Sequence, residues 1–76
     1  NGPSDSVILG SQVTVIEEGL DPETYTIVGS AEANPGDGRI SNESPLGKAL
    51  IGRRAGDKVA FDTPGGQIEM ELLRIE

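Results

Sequence analysis

The chain has no cysteine and no histidine among its 76 residues. The first absence excludes a disulfide staple and a thiolate metal site. The second removes the usual neutral-pH general base, the base of a Ser–His nucleophile pair and the commonest metal ligand. Catalysis by this chain alone is therefore not expected, and no cofactor or metal is expected; any chemistry would rest on carboxylates. Tryptophan is also missing, and Tyr25 and Phe61 are the only aromatic residues. Apolar runs are short. Val7-Ile8-Leu9 spans three residues, against the roughly 18 that a membrane-crossing helix needs. No signal peptide is visible. Residues 1–6, "NGPSDS", read as a disordered remnant or linker, and residues 7–76 as one folded domain, expected to be monomeric and cytoplasmic and to have been cut from a longer protein. A domain of this size buries only roughly 60% of its unfolded surface.

Cations are scarce too: six lysines and arginines face thirteen carboxylates, a net charge of -7. Their placement is uneven. Residues 39 to 58 hold Arg39, Lys48, Arg53, Arg54 and Lys58 against Glu43 and Asp57, a local net of +3. The remainder holds Arg74 against eleven carboxylates, a net of -10. Phosphate backbones attract clustered cations, so an acidic chain of this kind is not expected to bind nucleic acid strongly. A small basic patch on an acidic domain points either to a protein partner with an acidic or mixed surface or to surface charges that fall together by chance.

What is present is mostly strand and turn. "QVTVIEE" places Val13 and Val15 on one face and Gln12 and Thr14 on the other, the period of a half-buried strand. "EGLDPE" supplies turn formers, and "TYTIVG" returns with Tyr25 and Ile27 alternating against threonines, so the two segments read as a hairpin. "SAEANPGDG" is a loop by composition, and "RIS" resumes an extended path. Ser44 precedes Pro45 as an N-cap precedes a proline at the first helical position. Leu46 and Leu50 lie four apart, and Gly52 suits a left-handed cap. So short a helix is not stable alone, and packing of Leu46, Leu50 and Ile51 is expected to hold it. "AGDKVAFD", "TPGG" and "QIEMELLRIE" read as a strand, a tight turn and a last strand. The alternation slips at Leu72-Leu73, which predicts a bulge there or burial on both faces. The order hairpin, loop, strand, helix, hairpin predicts an α+β domain on a mostly antiparallel sheet.

Two chemical motifs fail on spacing, and a third reads as surface. "DGRIS" resembles part of a calcium loop, but the register puts Ala33, Pro35 and Ser44 where carboxylates belong. The glycines show no P-loop spacing. Glu17-Glu18 and Glu69/Glu71 read as a solvated face. The stretch "SNESPLGKALIGRRAGD", residues 41 to 57, is different. Gly47 inside a helix costs roughly 1 kcal/mol relative to alanine, and beside Pro45 it leaves the first turn with little side-chain cover. A docking site and a helix start packed on its own sheet are both open readings of that feature.

This stretch closely resembles the Ser-x-x-Ser-Pro-aliphatic-small-x-small-aliphatic-aliphatic signature of the C-terminal domain of bacterial GreA/GreB transcript-cleavage factors, including its closing Gly56-Asp57 pair. "ILGSQVTVIEE" resembles that domain's first strand, "TYTIVGSAEANPGDGRIS" its second strand and loop, and "TPGGQIEMELLRIE" its last hairpin. The resemblance implies an FKBP-like fold, a curved antiparallel sheet with one short helix packed on it. It implies docking on the β′-subunit coiled coil of bacterial RNA polymerase, at the rim of the secondary channel. In the family a separate N-terminal helical hairpin carries acidic residues to the polymerase's second magnesium, and the polymerase cleaves the RNA 3′ end. No heptad stretch occurs and few residues precede Val7, so this chain is expected to dock without the acidic tip. The docking residues implied are Ser44, Pro45, Leu46 and Gly47, with Ser41 and Lys48 beside them; Arg53 and Arg54 are added from the charge count. An FKBP-like fold also raises prolyl isomerase activity, which is not expected from a chain with two aromatics to line a proline pocket. A Rnk-type or polymerase-inhibiting Gre homologue, sharing this domain but not the outcome, is the alternative.

Overall fold

The computed structural model describes residues 6–76, so most of the 1–6 expectation falls outside the described residues. Five strands form one sheet: β1 (Gln12–Glu17), β2 (Glu23–Val28), β3 (Arg39–Ser41), β4 (Lys58–Thr63) and β5 (Gly66–Ile75). One helix, α1 (Pro45–Leu50), lies between β3 and β4 in the chain. The spatial order is β3-β2-β1-β5-β4, and the sheet curls into a half-barrel.

β1 and β2 form the expected hairpin, with Val13 opposite Tyr25 and a Thr14–Thr24 hydroxyl contact of 3.1 Å across the pair. Gly19 turns the chain with φ of 86°, a conformation that excludes most other residues. Three of the four strand pairings are antiparallel; β2 and β3 run parallel, Ile27 beside Ile40. The parallel pairing needs a crossover. Residues 29–38 supply it through two 3-10 turns, Ser30–Glu32 and Pro35–Asp37, with Gly38 left-handed at its end. The "DGRIS" stretch is thus a turn running into β3, and the Asp37 carboxylate accepts from the Asn34 amide at 2.9 Å.

The slip in the last strand is a bulge. Thr14 pairs with Arg74 while Val15 pairs with Leu72, leaving Leu73 as the extra residue. Leu72 and Ile75 thereby both point inward, while Leu73 is exposed. Val13, Val15, Ile27 and Ile40 meet them inside the half-barrel, together with Val59 and Leu50.

β3 and β4 are the two borders of the sheet, and α1 packs against both. The helix therefore stands across the open side of the curl and closes it, with Leu50 fully buried and Leu46 and Ala49 packed against the core. Ile51, expected to help hold the helix, is 39% exposed. It is the residue at which helical geometry ends, with ψ of 129°, so its side chain swings off the buried stripe. Gly52 follows with φ of 85°, the left-handed cap the sequence predicts.

"ILGS" is a turn ahead of β1 and not the start of the strand: the Ser11 amide donates to the Ile8 carbonyl and Gly10 has φ of 94°. Before it, buried Val7 joins the exit of α1, donating to the Arg53 carbonyl at 2.8 Å and accepting from the Gly52 amide at 2.9 Å. Among the described residues no helix is long and apolar enough to cross a membrane.

Candidate docking site

The start of α1 is held by a compact set of hydrogen bonds. The Ser44 hydroxyl accepts from the Gly47 amide at 3.1 Å and donates to the Ser41 carbonyl at 2.7 Å. That carbonyl also takes the Ser44 amide at 3.0 Å. The Ser41 hydroxyl accepts from the Glu43 amide at 2.9 Å and lies 3.0 Å from the Ser30 hydroxyl, which donates to Glu43 Oε1 at 2.9 Å. With the Ser30 proton directed at Glu43, Ser41 supplies the proton between the two hydroxyls. Ser44 is thus an N-cap and Pro45 occupies the first helical position, where its missing N–H goes unused. Ser44→Ala is expected to lower stability by about 1 kcal/mol, read as a fall of about 5 °C in the midpoint of thermal unfolding. An unchanged midpoint would remove the cap from this account.

Gly47 is buried. A β-carbon at this position would lie 2.0 Å from the Ser41 carbonyl oxygen and 3.1 Å from the Asn42 Cα. The close approach that glycine permits is therefore to its own chain. The reading of Gly47 as bare surface open to a partner's backbone is corrected by this contact: the helix packs down on the end of β3, and no side chain fits between them.

The eight candidate residues thus divide by accessibility. Pro45, Lys48, Arg53 and Arg54 are exposed, and Leu46 is half-buried with one side against the core. Ser41 and Ser44 are half-buried, and their hydroxyls are taken up by the bonds above. Lys48, Arg53 and Arg54 form no ion pair among the described residues, although Arg53 Nε donates to the Ala49 carbonyl at 3.4 Å. The two other cations of the 39–58 stretch are placed differently. Arg39 lies 3.7 Å from the Asp37 carboxylate, and Lys58 stands opposite Glu71 beside Glu18 and Glu69. The basic patch is consequently narrower than the sequence count, three residues on α1 and its exit.

Gly56 and Asp57 close the stretch architecturally. The Asp57 carboxylate accepts from the Arg54 amide at 2.8 Å, while its carbonyl accepts from Leu72 at 2.8 Å and the Gly56 amide donates to Leu72 at 2.7 Å. The exit loop of α1 is in this way stitched to β5.

Sequence reasoning missed the neighbours of α1. A groove runs between α1 and β4, lined by Pro45, Lys48 and Ala49 on one side and Ala60, Phe61 and Asp62 on the other, with Glu43 at its end. The strand order that brings β4 there is not carried by any local signal. Tyr25, the other aromatic, lies on β2, and two strands separate it from β4. Its hydroxyl donates to Glu23, and this bond, with partial burial and the carboxylate charge, pushes its pKa up to about 12. The two aromatics therefore do not line a common pocket. Among the described residues no three acidic, histidine or cysteine side chains are grouped to hold a metal.

Comparison with known proteins agrees with this geometry. The family described as transcription elongation factor, GreA/GreB, C-terminal, matches residues 2–76. Transcription elongation factor GreA of Bacillus anthracis is 50% identical over 78 aligned positions, covering all of this chain and 49% of that protein. GreA of Chloroflexus aurantiacus is 57% identical over 70 positions, 91% of this chain and 45% of the relative. The chain spans about half the length of the curated relatives it matches. A crystal structure of Thermus aquaticus Gfh1 superposes with a TM-score of 0.80 at 36% identity, over 92% of this chain and 47% of that one. A structure of the transcription factor Gfh1 gives 0.82 at 39%, over 99% and 50%. With the family signature seated on a closed half-barrel and nearly its whole length matched, the chain belongs to the GreA/GreB C-terminal domain family.

Proposed function

We propose that this domain is the RNA-polymerase-docking module of a Gre-type transcription elongation factor. The observation that carries the reading is the presentation of α1. A frame of partly buried bonds holds the helix start, while Pro45, part of Leu46 and three unpaired cations face solvent. A preorganised surface of this kind loses little freedom on binding, and unpaired cations speed encounter with an acidic partner. The partner is the β′ coiled coil at the rim of the secondary channel of bacterial RNA polymerase, which places the domain in the cytoplasm. The polymerase active site carries out RNA 3′-end cleavage, and the domain acts as an accessory, without an active site of its own. Similarity to transcription factor Gfh1 at 36–39% identity, beside that to GreA, supports a second reading. In it the same module belongs to a Rnk-type or inhibitory homologue that docks without stimulating cleavage.

Titration of the domain with the isolated β′ coiled coil, followed by backbone amide shifts, tests the reading. Shifts are expected around Ser41 to Arg54. The Pro45→Ala, Leu46→Ala double variant is expected to bind about tenfold more weakly. A folded wild-type domain that shows no shifts would overturn the docking assignment.

A further inference from the structure

We infer that β4 supplies the second wall of the docking surface, and that the groove between α1 and β4 takes a mixed-charge helix of the partner. This inference rests on the docking reading above and names the chemistry of what docks.

The groove is shallow, and apolar and charged side chains share its lining. Pro45 and Ala49 line one side and Ala60 and Phe61 the other. Phe61 is one of only two aromatics in the chain; it lies outside the buried cluster and is half-buried, with part of its ring open beside α1. The open part of that ring is available to a partner. At an interface such a residue is an anchor, because a ring offers much area for little lost freedom. Ala60 is exposed next to it, so the wall is low enough for another backbone to come close.

The charges specify the occupant. Lys48 stands unpaired on the helix side, and Glu43 and Asp62 stand at the other margins. A complementary segment carries an aliphatic side chain for the apolar part of the lining, a carboxylate facing Lys48 and a cation facing Glu43 or Asp62. Opposite charges beside an apolar position at helical spacing are an ordinary property of a coiled-coil surface. An extended strand would instead use the backbone of β4, a border strand of the sheet. The side chains of the groove favour the helix.

The experiment is the same titration with the isolated β′ coiled coil, comparing wild type, Ala60→Arg, Gln12→Arg and the Pro45→Ala, Leu46→Ala variant. Gln12 is exposed on β1 and carries the same charge change as Ala60→Arg at a distance from the groove. Ala60→Arg is expected to weaken binding about tenfold, with Gln12→Arg binding as wild type does. In the wild type, amide shifts extend from α1 to Ala60, Phe61 and Asp62, a readout that requires no variant to fold. If Ala60→Arg and wild type bind alike and the β4 amides do not shift, while the Pro45, Leu46 variant loses affinity, the groove is refuted and docking stands. If wild type does not bind, both fall. Newly protected amides along the free border of β4 would replace the helix by an added strand. The same shifts appearing with domain concentration alone would make the occupant a second copy of this chain.

Discussion

Gly47→Ala is expected to destabilise the domain by about 2 kcal/mol, although alanine is the better helix former. Alanine gains roughly 1 kcal/mol in a helix interior. Against that stands a methyl group placed 2.0 Å from the Ser41 carbonyl oxygen. Overpacking of a fixed backbone contact costs about 3 kcal/mol, because neither wall is a flexible side chain. The helix start must lift or the Ser41–Ser44 turn must open, and either movement breaks bonds of the 2.7–3.1 Å set that holds them. A domain of this length has roughly 4–11 kcal/mol in total, so the loss is a large share. Urea unfolding measures it, and binding to the β′ coiled coil is expected to weaken in parallel because α1 is displaced. An unchanged or raised midpoint would sink the packing role assigned to Gly47.

The second large effect concerns the other end of the same helix. Leu50 is 0% exposed and belongs to the central cluster. Its truncation to alanine removes buried surface and leaves a cavity, for a loss of about 3 kcal/mol. Six residues of helix do not persist without packing, so the loss is expected to show first in the helix itself, as faster amide exchange at Lys48 and Ile51. Ile51→Ala is the matched control. At 39% exposure it is expected to cost less than about 1 kcal/mol. Equal losses in the two variants would mean that Ile51 packs as the sequence alone led one to expect.

Most elements of the fold were legible because their signals are local. Alternation at Val13/Val15, Tyr25/Ile27 and Val59/Phe61 marks strands, and the broken alternation at Leu72-Leu73 marks the bulge. Ser44, Pro45 and Gly52 mark both ends of the helix. What could not be read depends on which strands meet. The parallel β2–β3 pairing, the position of α1 across both borders and the groove against β4 all follow from strand order, for which three to six residues of pattern hold no information. The proposed docking site was legible as a stretch and less so residue by residue. Ser41, Ser44 and Gly47 stand out in the sequence because their small polar or absent side chains build the frame. Ala60 and Phe61 beside them look like any strand. A motif recognised by its unusual residues thus points first to the architecture that presents a surface, and only then to the surface.

The middle of the sheet joins the first strand of the domain to its last. β1 pairs with β5, Val13 beside Ile75, so the most central contacts are also among the most distant in sequence. Such pairings close late, after a long loop has lost its freedom. As the chain leaves the ribosome, the β1–β2 hairpin, β3 and α1 emerge with one side of β1 unpaired and with β4, the strand on which α1 chiefly packs, still missing. The helix then has little to rest on. The helix becomes firm only once β4 and β5 have been made, so a chain interrupted before them does not present the proposed docking surface.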